Sequence, residues 1–298
     1  LRAFRRTKGD MTFDVVNYGL MTLYALMVLY PLYFISISSI SDPNAVFAGE
    51  VWLWPKDITL EGYERIFSDT LIWVGYGNTI LYAAVGTAIS IMLTLTAAYP
   101  LSRPDFYGRN LIMLVFVFTM FFSGGLIPTY LLVKDLGMVD TIWAMVIPNA
   151  VGVWNIIIAK TFFETSIPGE LREAAFIDGC SNTRFFFKIV LPLSKPIIAV
   201  MVLFHVVGHW NGFFDALIYL NDESKYPLQL ILRNILVENQ VSNSAAMMMD
   251  VESYAAKQRV AELIKYGMII VSTFPLLILY PFLQRYFVKG VMIGSIKG

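Results

Sequence analysis

Six stretches of this chain carry no charged residue at all, at 15–41, 70–102, 110–133, 141–159, 196–214 and 266–284. A helix rises 1.5 Å per residue, so about 20 apolar residues cross the hydrocarbon core of a bilayer. The shortest stretches, 19 residues long, meet that need. They predict an all-α integral membrane protein with six transmembrane helices, at about 15–41, 72–100, 110–133, 141–160, 196–220 and 265–287, in one domain covering 1–298. Pro31, Pro148 and Pro275 fall inside these spans, where neighbouring helices can satisfy the backbone groups a proline frees. Composition agrees: hydrophobic residues make up 57% of the chain and charged residues 15%, against about 25% charged in a soluble domain. Mean hydropathy is +0.64.

Charge placement predicts orientation. Arg2, Arg5, Arg6, Lys8, Arg103, Arg109, Arg172, Arg184, Lys188 and Lys195 fall on one set of connections, together with the last basic residues of the chain. The opposite set holds fewer, and the richer side is expected to be cytoplasmic. Both termini and a loop at 164–195 then lie inside, and the connections 42–69 and 221–264 lie outside. The basic start resembles a signal-peptide n-region, but the apolar run after it is too long for one, so it is read as a retained helix. Net charge is zero, which gives no global basic surface for nucleic acid. A single cysteine, Cys180, excludes an internal disulfide and any C-x-x-C site.

The inner loop is too long for a turn and reads as a short exposed helix over about 168–178. Ser166 is the expected N-cap and Gly179 the left-handed close. A second helical stretch is expected over about 183–190, ending at Leu191-Pro192. On the opposite side, 227–238 and 252–265 read as helices from apolar residues at three and four spacing.

That inner loop carries Glu173-Ala174-Ala175, then Gly179 after three residues, Ile189 after nine more, and Leu191-Pro192. The spacing resembles the EAA loop of ATP-binding cassette (ABC) importer permeases, in its usual place before the fifth helix. The bland alternative is an amphipathic linker with a glycine cap, and motif and position together weigh against it. The segment Trp210-Asn211-Gly212-Phe213-Phe214-Asp215-Ala216-Leu217 resembles the fifth helix of carbohydrate importers of the maltose type. The closing run from Phe287 to Gly298 resembles the tail of their second permease subunit. With the long outer loop, the likeness is greatest to permeases for complex oligo- and polysaccharides, such as alginate or rhamnogalacturonan fragments. Cys180 departs from the small residue usual after Gly179.

The resemblance implies a type I ABC importer permease fold in a bacterial inner membrane. It implies a homologous partner permease, two ABC ATPase subunits that use ATP and Mg, and an extracytoplasmic binding protein delivering carbohydrate. The loop residues Glu173, Ala174, Ala175, Gly179, Ile189, Leu191 and Pro192 would form the coupling helix and its surroundings, docked in an ATPase cleft. The 221–264 segment is expected to meet the binding protein, and the tail 290–298 to reach the ATPase pair. This chain has no G-x-x-x-x-G-K-[ST], so hydrolysis falls to another chain, and it is expected to bind no cofactor of its own.

Polar residues within a span are costly and read as functional candidates. At about 100° per residue, His205, Gly208, His209, Asn211, Gly212 and Asp215 share one arc of the fifth predicted helix, with Trp210 on the far side. His205, His209, Asn211 and Asp215 are therefore candidates to line the solute pathway. Packing through Gly208-x-x-x-Gly212 is the structural alternative. His205 and His209 lack a third metal ligand. Asn78, Trp154 and Asn155 are weaker candidates, and Trp52, Trp54, Trp73 and Trp143 read as interfacial anchors. An importer of a non-sugar solute is the near alternative. A membrane-embedded enzyme would need a motif such as H-E-x-x-H or G-x-S-x-G, and neither occurs. An ion-coupled transporter usually needs more buried carboxylates than Asp215 alone.

Overall fold

The computed structural model describes residues 7–245, 259, 264–278 and 281. Its regular elements are all helical. In chain order they are α1 (Lys8–Ser38), α2 (Pro43–Phe47), α3 (Glu61–Ser68), α4 (Thr70–Leu101), α5 (Arg109–Phe121) and α6 (Leu126–Asp135). Next come α7 (Ile142–Val146), α8 (Val153–Ser166), α9 (Gly169–Ile177), α10 (Asn182–Phe185) and, after a π-helical turn at Phe186–Val190, α11 (Leu191–Leu193). The last are α12 (Lys195–Asn211), α13 (Phe214–Tyr219), α14 (Leu228–Ala245) and α15 (Ile264–Ile278). The expected tail contact at 290–298 and most of the expected helix at 252–265 lie outside the described residues.

Two helices, α1 and α4, are each long and apolar enough to cross a membrane. The α5–α6 pair qualifies as one span bent by 111°, and α12 qualifies together with 182–193 across a bend of 78°. Three of the spans expected to be continuous are therefore broken, each for a local reason. Between α5 and α6 lies Ser123-Gly124-Gly125, with Gly125 at φ +84°, a conformation that residues bearing a Cβ avoid. Pro148 and Gly152 separate α7 from α8. Gly212 stops α12 with ψ at 111°, so the fifth expected span resumes only at Phe214.

Two further local expectations are corrected. Ser166 is not an N-cap: it is the last residue of α8, and Pro168 takes the capping position of α9 with no side-chain bond. Helical structure after Asn182 also continues past Val190 to Leu193. Pro192 has no N–H to return to the fourth residue before it, and the wider π turn relieves the clash of its ring with that carbonyl.

The described residues group into two compact units. One comprises 1–69 and 234–273. There Thr7 and Asp10 close a capping box on α1. Tyr63 donates to Ser39 Oγ at 2.8 Å, and Arg259 pairs with Asp42 at 3.3 Å. Tyr33 donates to the Leu53 carbonyl. Only Ile37 and Ser38 of α1 are buried.

The second unit comprises 70–233 and the described residues after 273, and α4 is its axis, with α12 and α8 packed along it. Gly86, Thr87, Ser90, Thr94 and Ala98 recur at three and four spacing on α4 and are all buried. These small side chains let neighbouring backbones approach closely, the device favoured where lipid supplies no hydrophobic contrast. At one end of α4, Leu95, Ala98 and Leu101 join Ile156, Ala159 and Phe163 of α8, Ala175 of α9, Phe185, Phe186, Val190 and Met201 in a single apolar cluster.

Near its other end α4 holds the predicted outer loop. Asn78 donates to the carbonyls of Ser224 and Tyr226, and Tyr82 donates to that of Lys225 at 2.8 Å. Thr79 Oγ1 accepts from the Leu228 amide at 2.9 Å, which fixes the start of α14. Asn78, weighed as a pathway residue, thus serves as a loop anchor. Asp140, at φ +61°, accepts from the amides of Asn221 and Asp222 and from Lys225 Nζ. Those bonds, the Lys225 one foremost, hold its carboxyl below the usual value, while Asp140 raises Lys225. The Asp140 contribution is therefore complete above the ordinary carboxylate value and lost as pH falls through the lower folded one. The Lys225 contribution is lost only as pH rises past its ordinary value. Asp140→Ala should speed hydrogen exchange at the Asn221 and Asp222 amides at neutral pH, and Asp140→Asn, which tolerates positive φ and keeps an acceptor, should speed it less. Equal exchange in all three proteins would show that Asp140 does not hold the loop.

Candidate coupling loop and solute pathway

The loop centres on α9. Glu170 stands in its first turn, where a negative charge suits the helix dipole. At its end Asp178 N bonds Ala174 O at 3.1 Å, Gly179 N bonds Phe176 O at 3.0 Å and Cys180 N bonds Ala175 O at 2.9 Å. Gly179 sits at φ +75° with open space where a Cβ would stand, so conformation and not crowding demands glycine there. Cys180 is partly buried against the apolar cluster.

The two adjacent alanines of α9 are divided. Ala175 is buried in the chain's own cluster, whereas Ala174 and Glu173 are exposed. Glu173 has no hydrogen bond or ion pair among the described residues. Ile177 projects with 86% of its surface exposed. Ile189 and Leu191 pack against the cluster, and Pro192 is exposed.

A polar network beside α9 was not anticipated. Arg103, just past the end of α4, donates to both oxygens of Asp105 at 2.9 and 2.7 Å, to Tyr99 Oη at 2.7 Å and to Asn182 Oδ1 at 3.0 Å. Its guanidinium lies 5.6 Å from the ring centres of both Tyr99 and Phe176. Asp105 also accepts from Arg172 of α9 at 3.1 Å. The hydrogen bond from Arg103 holds the Asp105 carboxyl down at about 2, so this pairing is complete above the ordinary carboxylate value and lost only as pH falls toward 2. A hint lay in Ser102-Arg103-Pro104-Asp105, a charged pair at the exit of an otherwise uncharged span.

Along α12, a cavity of about 240 Å³ brings together His205, His209 and Asp215 with Tyr82, Met145, Asn149, Phe204, Gly208 and Gly212. Asn149 donates to Asp215 at 2.7 Å, and Asn155 Nδ2 lies 3.2 Å from His205 Nε2. The His209 ring occupies the room left by Gly86 of α4, where a Cβ would overlap three of its atoms. Asn211 is exposed and does not line the cavity. Trp210 is buried, its ring 6.2 Å from that of Tyr76. Trp154 is 63% exposed and stands apart from the cavity. Asn149 was missed, although a polar residue after Pro148 inside an apolar stretch marks a broken helix next to a cavity.

Residues 86–293 match the family model described as "Binding-protein-dependent transport system inner membrane component". The chain belongs to this family. It is a transmembrane permease component of an ABC transporter, a multi-pass inner-membrane protein that does not itself catalyse hydrolysis. It is 41% identical over 298 residues to Protein LplC of Bacillus subtilis (strain 168), covering 100% of this chain and 99% of that protein. It is 41% identical to the "Polygalacturonan/rhamnogalacturonan transport system permease protein YtcP" of the same organism, over 96% of this chain and 98% of that one. A solved chain from a bacterial ABC transporter involved in the import of the acidic polysaccharide alginate superposes with a TM-score of 0.85 at 34% identity. The match covers 96% of this permease and 100% of that chain.

Proposed function

We propose that this permease carries an oligo- or polysaccharide, delivered by an extracytoplasmic binding protein, through a pathway formed with a homologous permease and driven by two ATPase subunits. The observation that carries the substrate class is full-length kinship to YtcP together with the match to the alginate importer. In this reading the chain crosses the membrane six times with both termini inside, and the breaks at 122–125, 147–152 and 212 are interruptions within spans. ATP and Mg act on the partner ATPases. The α9 helix, with Glu173, Ala174 and Gly179 outermost, docks on an ATPase, while Ala175, Ile189 and Leu191 seat it on the permease and Pro192 closes the segment. His205, His209 and Asp215 line the pathway, and Asn211 stands at its edge.

Uptake of labelled saccharides by the reconstituted complex tests the function. Uronate-containing oligosaccharides should be accumulated with ATP and binding protein present. Accumulation of amino acids or phosphate instead would overturn the substrate class. Cysteine labelling tests the pathway: in a Cys180→Ala background, a water-borne maleimide should modify a cysteine at 205 at least about tenfold faster than one at 210, because thiolate access to water sets the rate. Faster labelling at 210 would reverse the assignment of faces.

A further inference from the structure

We infer that Arg103 is a positioning residue that locks α9 to the end of α4, so that the two move as one body and motion of α9 reaches the cavity through α4. The inference rests on reading α9 as the coupling helix.

The geometry favours one rigid connection. Arg103 is the only described side chain that bonds the last turns of α4, the 102–108 connection and the start of α10 together, through Tyr99, Asp105 and Asn182. Its guanidinium lies over the ring of Phe176 of α9, while Asp105 reaches α9 a second time through Arg172. Only 11% of the Arg103 side chain is exposed. A guanidinium in this setting uses its fixed fork for the carboxylate while lying near both rings, and a lysine ammonium, a single point of charge, cannot make the bidentate pair and reach Tyr99 and Asn182 at once. Directly beside the network, Ala98, Leu101, Ala175 and Phe185 pack in the shared apolar cluster. From there α4 runs without a break to Tyr82, which lines the cavity, about 25 Å away at 1.5 Å per residue. An unbroken helix of that length transmits displacement that the interrupted helices α5–α6 and α12–α13 would absorb at their breaks.

The test uses the whole reconstituted transporter. Arg103→Lys keeps the charge and should leave the complex assembled with basal ATPase close to normal. Saccharide moved per ATP hydrolysed should nevertheless fall about tenfold or more, as the bidentate pairing and ring contacts go. Spin labels at Ile177→Cys and Met92→Cys, both exposed sites, in a Cys180→Ala background read the mechanism directly. With Arg103 present, the distance between them should be narrow and equal in nucleotide-free and nucleotide-trapped states. With Arg103→Leu it should broaden and differ between the two. A distance that changes between states with Arg103 intact, or that stays narrow in Arg103→Leu, would overturn the inference, as would normal coupling in Arg103→Lys. Failure of both Arg103 variants to assemble would equally overturn it, placing the residue in assembly. Glu173→Lys separates the levels. If that variant transports normally, the reading of α9 itself fails; if it is inactive while the Arg103 variants are normal, only the present inference fails.

Discussion

The double variant Glu173→Lys, Gly179→Val should insert in the membrane at normal levels and transport nothing. Gly179 ends α9 at φ +75°. An L-residue there costs about 1–2 kcal/mol, and a β-branched one more, since its Cβ crowds the following carbonyl. No neighbour lies within 4 Å of the new Cβ, so the whole effect falls on the course of the chain leaving α9. Glu173 is exposed, and breaking nothing within this chain is what makes it diagnostic. If it meets an ATPase donor, its loss costs roughly 1.5–3 kcal/mol, and lysine adds repulsion. Together the changes should weaken ATPase binding by at least about a hundredfold at 1.4 kcal/mol per decade. Subunit stoichiometry, ATPase and uptake measured on one preparation decide the matter. Full transport by the double variant would show that α9 is a linker.

The second large effect is expected at Gly86. A Cβ there overlaps the Nε2, Cε1 and Cδ2 positions of His209, so Gly86→Val must displace the imidazole from the cavity wall or separate α4 from α12. Overpacking of this kind costs about 1–3 kcal/mol. Thermal stability and uptake should both fall. Adding His209→Ala should restore stability, because the colliding ring is gone, without restoring uptake if the ring is the pathway group proposed above. Recovery of both would reduce His209 to packing. Recovery of neither would mean that the helices meet differently at this level.

The short helix α9 and its glycine close were readable because their signals are local. Glu173, Gly179 and Leu191-Pro192 lie within twenty residues, and each has a meaning fixed by helix geometry. The division of Ala174 from Ala175 was not readable, because which face of α9 is buried depends on Ala98 and Phe163, far away in the chain. Arg103 escaped for the same reason: its partners at 99, 105, 176 and 182 meet only after α4 and α9 have packed. The apolar stretches were read as continuous helices because hydropathy measures how apolar a stretch is and not whether it bends. Gly124-Gly125 and Gly212 carried that information, but glycine in a span reads equally as a packing site. Arc geometry grouped His205, His209 and Asp215, and all three line one cavity, although Asp215 stands on α13 beyond the break that the arc did not allow for. Asn211, at the edge of the arc and the last residue of α12, is exposed and outside that lining.

If the cavity beside α12 is the proposed pathway, the break at Gly212 bears on what selects the solute. A helix that stops leaves its last carbonyls without amide partners from the next turn. Only one cap bond is made here, from Gly212 N to His209 O at 3.3 Å. The final turn of α12 therefore ends with carbonyls that lack amide partners from a next turn, and Gly208 and the capping Gly212 line the cavity. A sugar hydroxyl can donate to such an oxygen whatever side chains surround it. Recognition of this kind registers where hydroxyls are spaced, not what charge the ring bears. Truncating side chains from 205 to 215 would leave it standing, and it would vanish only when the helix is made continuous across residue 212.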